Sequence, residues 1–197
     1  MLAVAAGSEQ LTRAMRSLEA AFLIGVEGVT EIWLIRHADC YQDLSEVDDP
    51  PLSALGRQQA ARLAERVHRL NPAAVYSSPY RRAVETARAI TDDVHVDKRL
   101  VEMDLEVSEE GRLDFKESPS SVIERMRSVI DDITLAHPGR RVVAISHGAS
   151  IVTYLTEVLQ LEPGRLRMLP YYTSVSIVRA LGDHRIVGGL ADMSHLE

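Results

Sequence analysis

The sequence predicts an α/β protein: a three-layer α/β/α sandwich with a mostly parallel central sheet and a C-terminal antiparallel hairpin. Three observations lead there. Short apolar runs at 31–35, 73–77 and 141–146 alternate with amphipathic helical stretches, the pattern built by βαβ units. The run at 141–146, Arg-Val-Val-Ala-Ile-Ser, lacks the alternation of a half-exposed strand and reads as covered on both faces. Residues 174–180 and 185–190 are two extended runs joined at Gly182-Asp183, which predicts a hairpin. At 197 residues the chain can bury one sizeable core.

The elements follow in order. Residues 8–24 read as a helix, with Ser8 able to cap and Leu11, Met15, Leu18 and Phe22 at helical spacing. This stretch carries no recognisable chemistry. Residues 1–28 are taken as an N-terminal helical extension, packed on the domain or on another subunit, and 29–197 as the main domain. Gly25 and Gly28 break the helix before the strand at 31–35. Residues 40–51 form an acidic loop closed by Pro50-Pro51. Ser53 caps a helix to about Leu70, with Ala60, Leu63, Ala64, Val67 and Leu70 inward. After the strand at 73–77, Ser78-Pro79 reads as cap plus first helical position of a helix to about Ile90. Residues 94–96 read as a third strand, 99–103 as extended and 105–117 as a charged, irregular segment. Ser118-Pro119 opens a helix with Val122, Met126, Val129 and Ile133 inward, ended by Pro138-Gly139. A further helix follows the strand at 141–146 and runs from His147-Gly148 to about Gln160.

Composition excludes several classes. No stretch approaches the ~20 apolar residues that cross a bilayer as a helix, so no membrane partner is expected. A net charge of −7 argues against nucleic acid. Cys40 is the single cysteine, so neither an internal disulfide nor a cysteine-based zinc cluster is expected. Residues 1–7 lack the positive flank of a signal peptide, and a cytoplasmic location is the default expectation.

The chemistry sits at strand ends. Arg36 and His37 follow the first strand, Ser78 and Arg82 the second, and Ser146 and His147 the fourth. In a parallel sheet these ends share one edge, where ligands bind. Helices expected to start near Ser78 and at His147 add free N–H groups and partial positive charge. Two arginines, whose planar forks match phosphate oxygens, complete a site for a phosphate dianion. His68, His95, His137, His184 and His195 read as surface or structural residues, and Arg81 as a surface residue.

The chain resembles the histidine phosphatase superfamily in its phosphoglycerate-mutase-like branch. The residues that carry the resemblance are Arg36-His37-Ala38, Pro51-Leu52-Ser53-Ala54-Leu55-Gly56 with Gln59-Ala60, Ser78-Pro79-Tyr80-Arg81-Arg82-Ala83 with Thr86-Ala87, Glu102, and Ser146-His147-Gly148. The resemblance implies that His37 is a nucleophile forming a phosphohistidine. It implies that Arg36, Arg82, His147 and Gly148 hold the phosphoryl group and that Glu102 is the proton donor, with no metal or cofactor. Asp104, two residues on, is the alternative acid. The partner it implies is a small phosphorylated metabolite, with a homo-oligomer possible. The chain departs from the family where Ala38 replaces Gly, Asp39-Cys40 replaces Glu-Thr and Asp43 replaces Asn. It also lacks the Gly and Trp-Glu-Gly that usually follow the acidic residue. The expected function is therefore a metal-independent phosphomonoesterase of open substrate. The alternatives are phosphoglycerate-mutase-type phosphoryl transfer and a non-catalytic binding module. Mutases of the branch carry longer insertions over the site, and here only 105–117 is available as a lid, which favours hydrolysis.

Overall fold

The computed structural model describes residues 2–40, 49–108, 110–162 and 164–197. Asp43 lies outside them. Helix α1 (Leu2–Ala21) precedes strand β1 (Thr30–Arg36), then come α2 (Ala54–His68), β2 (Ala74–Ser77), α3 (Arg81–Arg88) and β3 (His95–Val96). A 3-10 turn at Lys98–Leu100 leads to β4 (Leu105–Val107), β5 (Leu113–Phe115), α4 (Pro119–Ala136), β6 (Arg141–Ser146) and α5 (Gly148–Val158). Strands β7 (Val175–Leu181) and β8 (His184–Asp192) and a last 3-10 turn at Ser194–Leu196 finish the chain.

The main sheet has the order β3-β2-β6-β1-β7-β8. Strands β3, β2, β6 and β1 run parallel, while β7 pairs antiparallel with both β1 and β8. The expected mostly parallel sheet and terminal hairpin are both present. Side chains on β1 alternate between two cores. Ile32 and Leu34 join Val142 and Ala144 under α4 and α5, with Val122, Met126, Ile133, Ile151 and Leu155. Trp33 and Ile35 join Val143 and Ile145 under α2 and α3, with Leu63, Val67, Ala83 and Ala87. Both faces are covered, which is why these strands read as continuous apolar runs.

That layering creates the crevice. Strands β1 and β6 are parallel neighbours, with Arg36 beside Ser146. The chain leaving β1 enters α2 on one face, and the chain leaving β6 enters α5 on the other. A gap opens between them at the carboxyl ends, at a topological switch point.

Three expectations need correction, and a fourth is narrowed. Ser78 and Pro79 do not begin α3; the helix starts at Arg81, and Tyr80 stands at its cap position without a side-chain bond. Residues 98–100 are a 3-10 turn rather than extended, because the Asp97 carboxylate accepts from Arg99 N–H at 2.8 Å and closes it. Residues 105–117 are not irregular, since β4 and β5 pair antiparallel, Glu106 opposite Asp114. Of the two packings expected for the N-terminal helix, on the domain or on another subunit, the first is not seen: Leu11, Met15, Leu18 and Phe22 are each about half exposed or more. Its exit is anchored through buried Leu23 and through the Gly28 carbonyl, which accepts from Gly139 N–H at 3.0 Å. Among the described residues, no helix is long and apolar enough to cross a membrane.

Candidate active site

His37 leaves β1 into the crevice and is 3% exposed. Its Nδ1 lies 2.8 Å from the Ala38 carbonyl, which can only accept, so Nδ1 carries the proton. Nε2 therefore holds a lone pair, and Arg82 Nε–H donates to it at 3.2 Å. Burial, with the nearby Arg82 and Arg36 charges acting in the same direction and the Ala38 carbonyl opposing, lowers the imidazole pKa from 6.5 to about 3. The ring is neutral at physiological pH, with a nucleophilic nitrogen.

His147, fully buried at the end of β6, faces it with ring centroids 5.0 Å apart. Arg82 Nη2 donates to His147 Nδ1 at 3.3 Å, so the His147 Nε2–H donates to Ser78 Oγ at 2.8 Å. Burial and the neighbouring cations hold this imidazole neutral as well. His147 occupies the cap position of α5 but makes no side-chain capping bond. Its ring is turned to the site. Arg82 thus joins both histidines, and its Nη1 also pairs with Asp49 at 3.2 Å.

Arg36 stacks over Tyr172, with Cζ 4.0 Å from the ring centroid, and Nη1 donates to the Pro170 carbonyl at 2.8 Å. Its Nε is buried with no partner among the described residues. An orphaned buried donor costs roughly 1–3 kcal/mol, and such a group in a cleft points to a missing acceptor. Gly148 lies against this guanidinium. A Cβ there would sit 3.6 Å from Arg36 Nε and 3.1 Å from Leu169 Cδ1, so glycine keeps the approach open.

Glu102 reaches the start of α5. Its carboxylate accepts from Ser150 N–H at 2.9 Å, Ala149 N–H at 3.3 Å and its neighbour Met103 N–H at 2.8 Å. Asp104 is exposed. The segment leading to Glu102 is held by Arg125 of α4, which donates to the Arg99 and Val101 carbonyls, to Glu117 and to Ser150 Oγ.

The five side chains expected at the site, Arg36, His37, Arg82, Glu102 and His147, are thus gathered with Gly148 around the ends of β1 and β6. Other motif residues support them. Thr86 Oγ1 accepts from Ala38 N–H, Gln59 Oε1 from Asp39 N–H, and Ser53 Oγ donates to Asp39. Gly56 is sterically required, because a Cβ there would lie 1.9 Å from the Asp39 carbonyl oxygen.

Sequence inspection missed Asp49, Tyr80 and Tyr172. Asp49 accepts from Arg81 N–H at 2.6 Å at the start of α3, Tyr80 packs edge-on against His147, and Tyr172 flanks His37. Tyr80 stands inside the motif at 78–83 but was given no role there, and the roles of Asp49 and Tyr172 depend on contacts across the fold that no local pattern announces. The lid expectation was also incomplete. Besides the β4–β5 hairpin, residues 164–172 bring Leu169, Pro170 and Tyr172 against Gly148, Arg36 and His37. Among the described residues, no three His, Cys, Asp or Glu side chains are grouped to hold a metal ion.

The sequence matches the histidine phosphatase superfamily (branch 1) over residues 32–116 and 107–192. It is 26% identical to a probable phosphoglycerate mutase, GpmB, of Enterobacter sp. (strain 638), across 85% of this chain and 95% of that protein. It is 29% identical to phosphoserine phosphatase 1 of Hydrogenobacter thermophilus, across 60% of this chain and 71% of that one. Phosphoserine phosphatase of Entamoeba histolytica, solved with 3-phosphoglyceric acid, shares the fold with a TM-score of 0.73 at 23% identity, covering 85% of this chain and 100% of that chain. Mycobacterial glucosyl-3-phosphoglycerate phosphatase does so at 0.70 and 20% identity, covering 84% and 100%. With the family matched over most of its length and the corresponding fold around the clustered histidines and arginines, the chain belongs to the phosphoglycerate-mutase-like branch of the histidine phosphatase superfamily.

Proposed function

We propose that the protein is a metal-independent phosphomonoesterase that hydrolyses a small phosphorylated metabolite through a phosphohistidine. The observation that carries this is a neutral, buried His37 whose Nε2 lone pair accepts from Arg82 Nε–H, in a crevice that also holds the buried Arg36 Nε donor with no partner among the described residues. In this reading the phosphoryl oxygens take the donors of Arg36 and Arg82, and His147 adds a third contact. Arg82 Nε–H then leaves His37 Nε2 for a phosphoryl oxygen, and the freed lone pair attacks phosphorus in line. The P–O bond to the leaving alcohol breaks as the N–P bond forms. Glu102, protonated for this step, gives that proton to the departing oxygen and then takes one from the water that hydrolyses the phosphohistidine. The cationic pocket stabilises the charge spread over the transferring group.

Phosphate release from a panel of phosphorylated metabolites tests this. Wild-type enzyme treated with EDTA is expected to release phosphate at full rate, vanadate to inhibit as a trigonal-bipyramidal mimic, and His37→Ala to release none while remaining folded. Activity lost to EDTA and restored by a divalent ion, or turnover by His37→Ala, would contradict the proposal. The likeness to a protein named a probable phosphoglycerate mutase makes phosphoryl transfer the second reading. In the same assay a mutase moves the phosphoryl group between substrates without releasing phosphate, and a binding module does neither.

A further inference from the structure

We infer that the leaving group this enzyme accepts is a bulky, apolar alcohol rather than a carboxylate-bearing one. The inference rests on the phosphomonoesterase reading and specifies its substrate class. A cavity of about 390 Å³ lies between the β4–β5 hairpin, the start of α4, one face of α5, and Leu161 with residues 164–169. That size falls in the usual range of small-molecule sites, ~300–1,000 Å³. Its walls include Met103, Phe115, Ile123, Val152, Leu166 and Met168.

Two features tie the cavity to the chemistry. Met103 adjoins Glu102, and Ala149, another wall residue, donates its N–H to the Glu102 carboxylate at 3.3 Å. Leu169, also in the wall, closes on Gly148, where Arg36 lies. The cavity therefore begins where the proton donor and one side of the phosphate clamp meet. A proton donor must touch the leaving oxygen, so the alcohol attached to that oxygen extends into this space.

The charges then choose among alcohols. Among the described residues lining the cavity, Glu157 is the one charged side chain, and it is paired with Arg127. Along 165–168 the residues alternate. Leu166 and Met168 line the cavity, whereas Arg165 and Arg167 are exposed and do not. A substrate carboxylate entering here would lose water and meet no cation, a costly transfer. An apolar alcohol gains from the same burial, methylene by methylene. Phe115 and Leu169, 57% and 71% exposed, leave apolar surface at the mouth for such a group to cover.

The test holds leaving-group chemistry nearly constant by using alkyl esters. Wild-type kcat/KM is measured for 3-cyclohexylpropyl phosphate, ethyl phosphate, phosphoserine and 3-phosphoglycerate. The cyclohexylpropyl ester is expected to exceed each of the others at least about tenfold, the scale set by a few apolar carbons in a fitted pocket. Phe115→Ala is expected to narrow the cyclohexylpropyl-to-ethyl ratio severalfold; Phe115 is exposed at the mouth, so the change leaves the core intact, and circular dichroism checks the fold. Val152→Arg, which brings a cation to the wall, should shift preference towards phosphoserine. Equal or better hydrolysis of phosphoserine or 3-phosphoglycerate by the wild type, or a ratio untouched by Phe115→Ala, would overturn the inference. If no ester is hydrolysed, the phosphomonoesterase reading falls, and calorimetric binding of the matching phosphonates decides the inference alone. At least about tenfold tighter binding of cyclohexylpropyl phosphonate than of the phosphoserine phosphonate upholds it, and equal binding overturns it.

Discussion

Gly56 shows how one atom can decide a position. It lies in α2, where alanine ordinarily improves a helix by about 1 kcal/mol. Here the added Cβ would come within 1.9 Å of the Asp39 carbonyl oxygen, a backbone atom in the loop after His37. Overpacking of this kind typically costs 1–3 kcal/mol or more and outweighs the helix gain. Gly56→Ala is therefore expected to lower stability by about 2 kcal/mol, read by urea denaturation, and to lower kcat by displacing the His37 loop. A stabilised variant would show that the loop yields freely. Glu102 makes a second residue-scale prediction. General acid catalysis is worth ~10²–10⁴-fold and matters most for poor leaving groups. Glu102→Gln should slow burst formation from an alkyl phosphate by that range and from nitrophenyl phosphate far less. If Asp104→Asn shows this leaving-group dependence instead, Asp104 is the acid.

At the scale of elements, legibility tracked how local the governing interaction is. Ser118-Pro119 was read correctly as a helix start because Ser118 Oγ accepts from Ser121 N–H three residues on. Ser78-Pro79 carries the same local signal and does not start a helix, because the Ser78 hydroxyl is taken by His147, far along the chain. The β4–β5 hairpin was missed because each strand is three residues long and pairs only with the other. The stripe of α1 was legible, but whether it is covered was not, since periodicity reports a face and not its partner. Helix α1 exits beside residues 139–141, at the end of the sheet opposite the crevice. Deleting residues 1–21 is accordingly expected to leave kcat/KM unchanged and, with the exposed stripe gone, to raise solubility; a folded, inactive product would contradict this. Arg125 is the opposite case, an α4 residue that positions Glu102 without touching substrate. Arg125→Met leaves the mostly buried Glu117 carboxylate unpaired and should cost about 2 kcal/mol, below the 3–5 of a fully buried pair. It should also reproduce, more weakly, the leaving-group dependence of Glu102→Gln.

For the whole molecule, the layer order and the site were legible together because both follow from where the strands end. The crevice needed no special motif once β1 and β6 were neighbours sending their helices to opposite faces. What could not be read were the long-range partners that complete it, Asp49, Tyr80 and Tyr172. Keeping imidazoles neutral in this crevice links folding to pH. His37 has a pKa of about 3 when folded against 6.5 unfolded, so between those values the unfolded chain binds more protons and stability falls as pH falls. His37→Gln should flatten the loss between pH 7 and pH 4.5 by about 2–3 kcal/mol, measured by urea denaturation at both. An unchanged slope would mean that His37 is not buried neutral. The central claim, that His37 carries the phosphoryl group, is tested most directly by quenching the enzyme during turnover of a ³²P-labelled ester and mapping the protein-bound label. The expected result is acid-labile, alkali-stable label on the peptide containing His37, present within the first turnover and absent from His37→Ala. Phosphate release by wild-type enzyme with no label retained at any quench time, or label retained by His37→Ala, would contradict it.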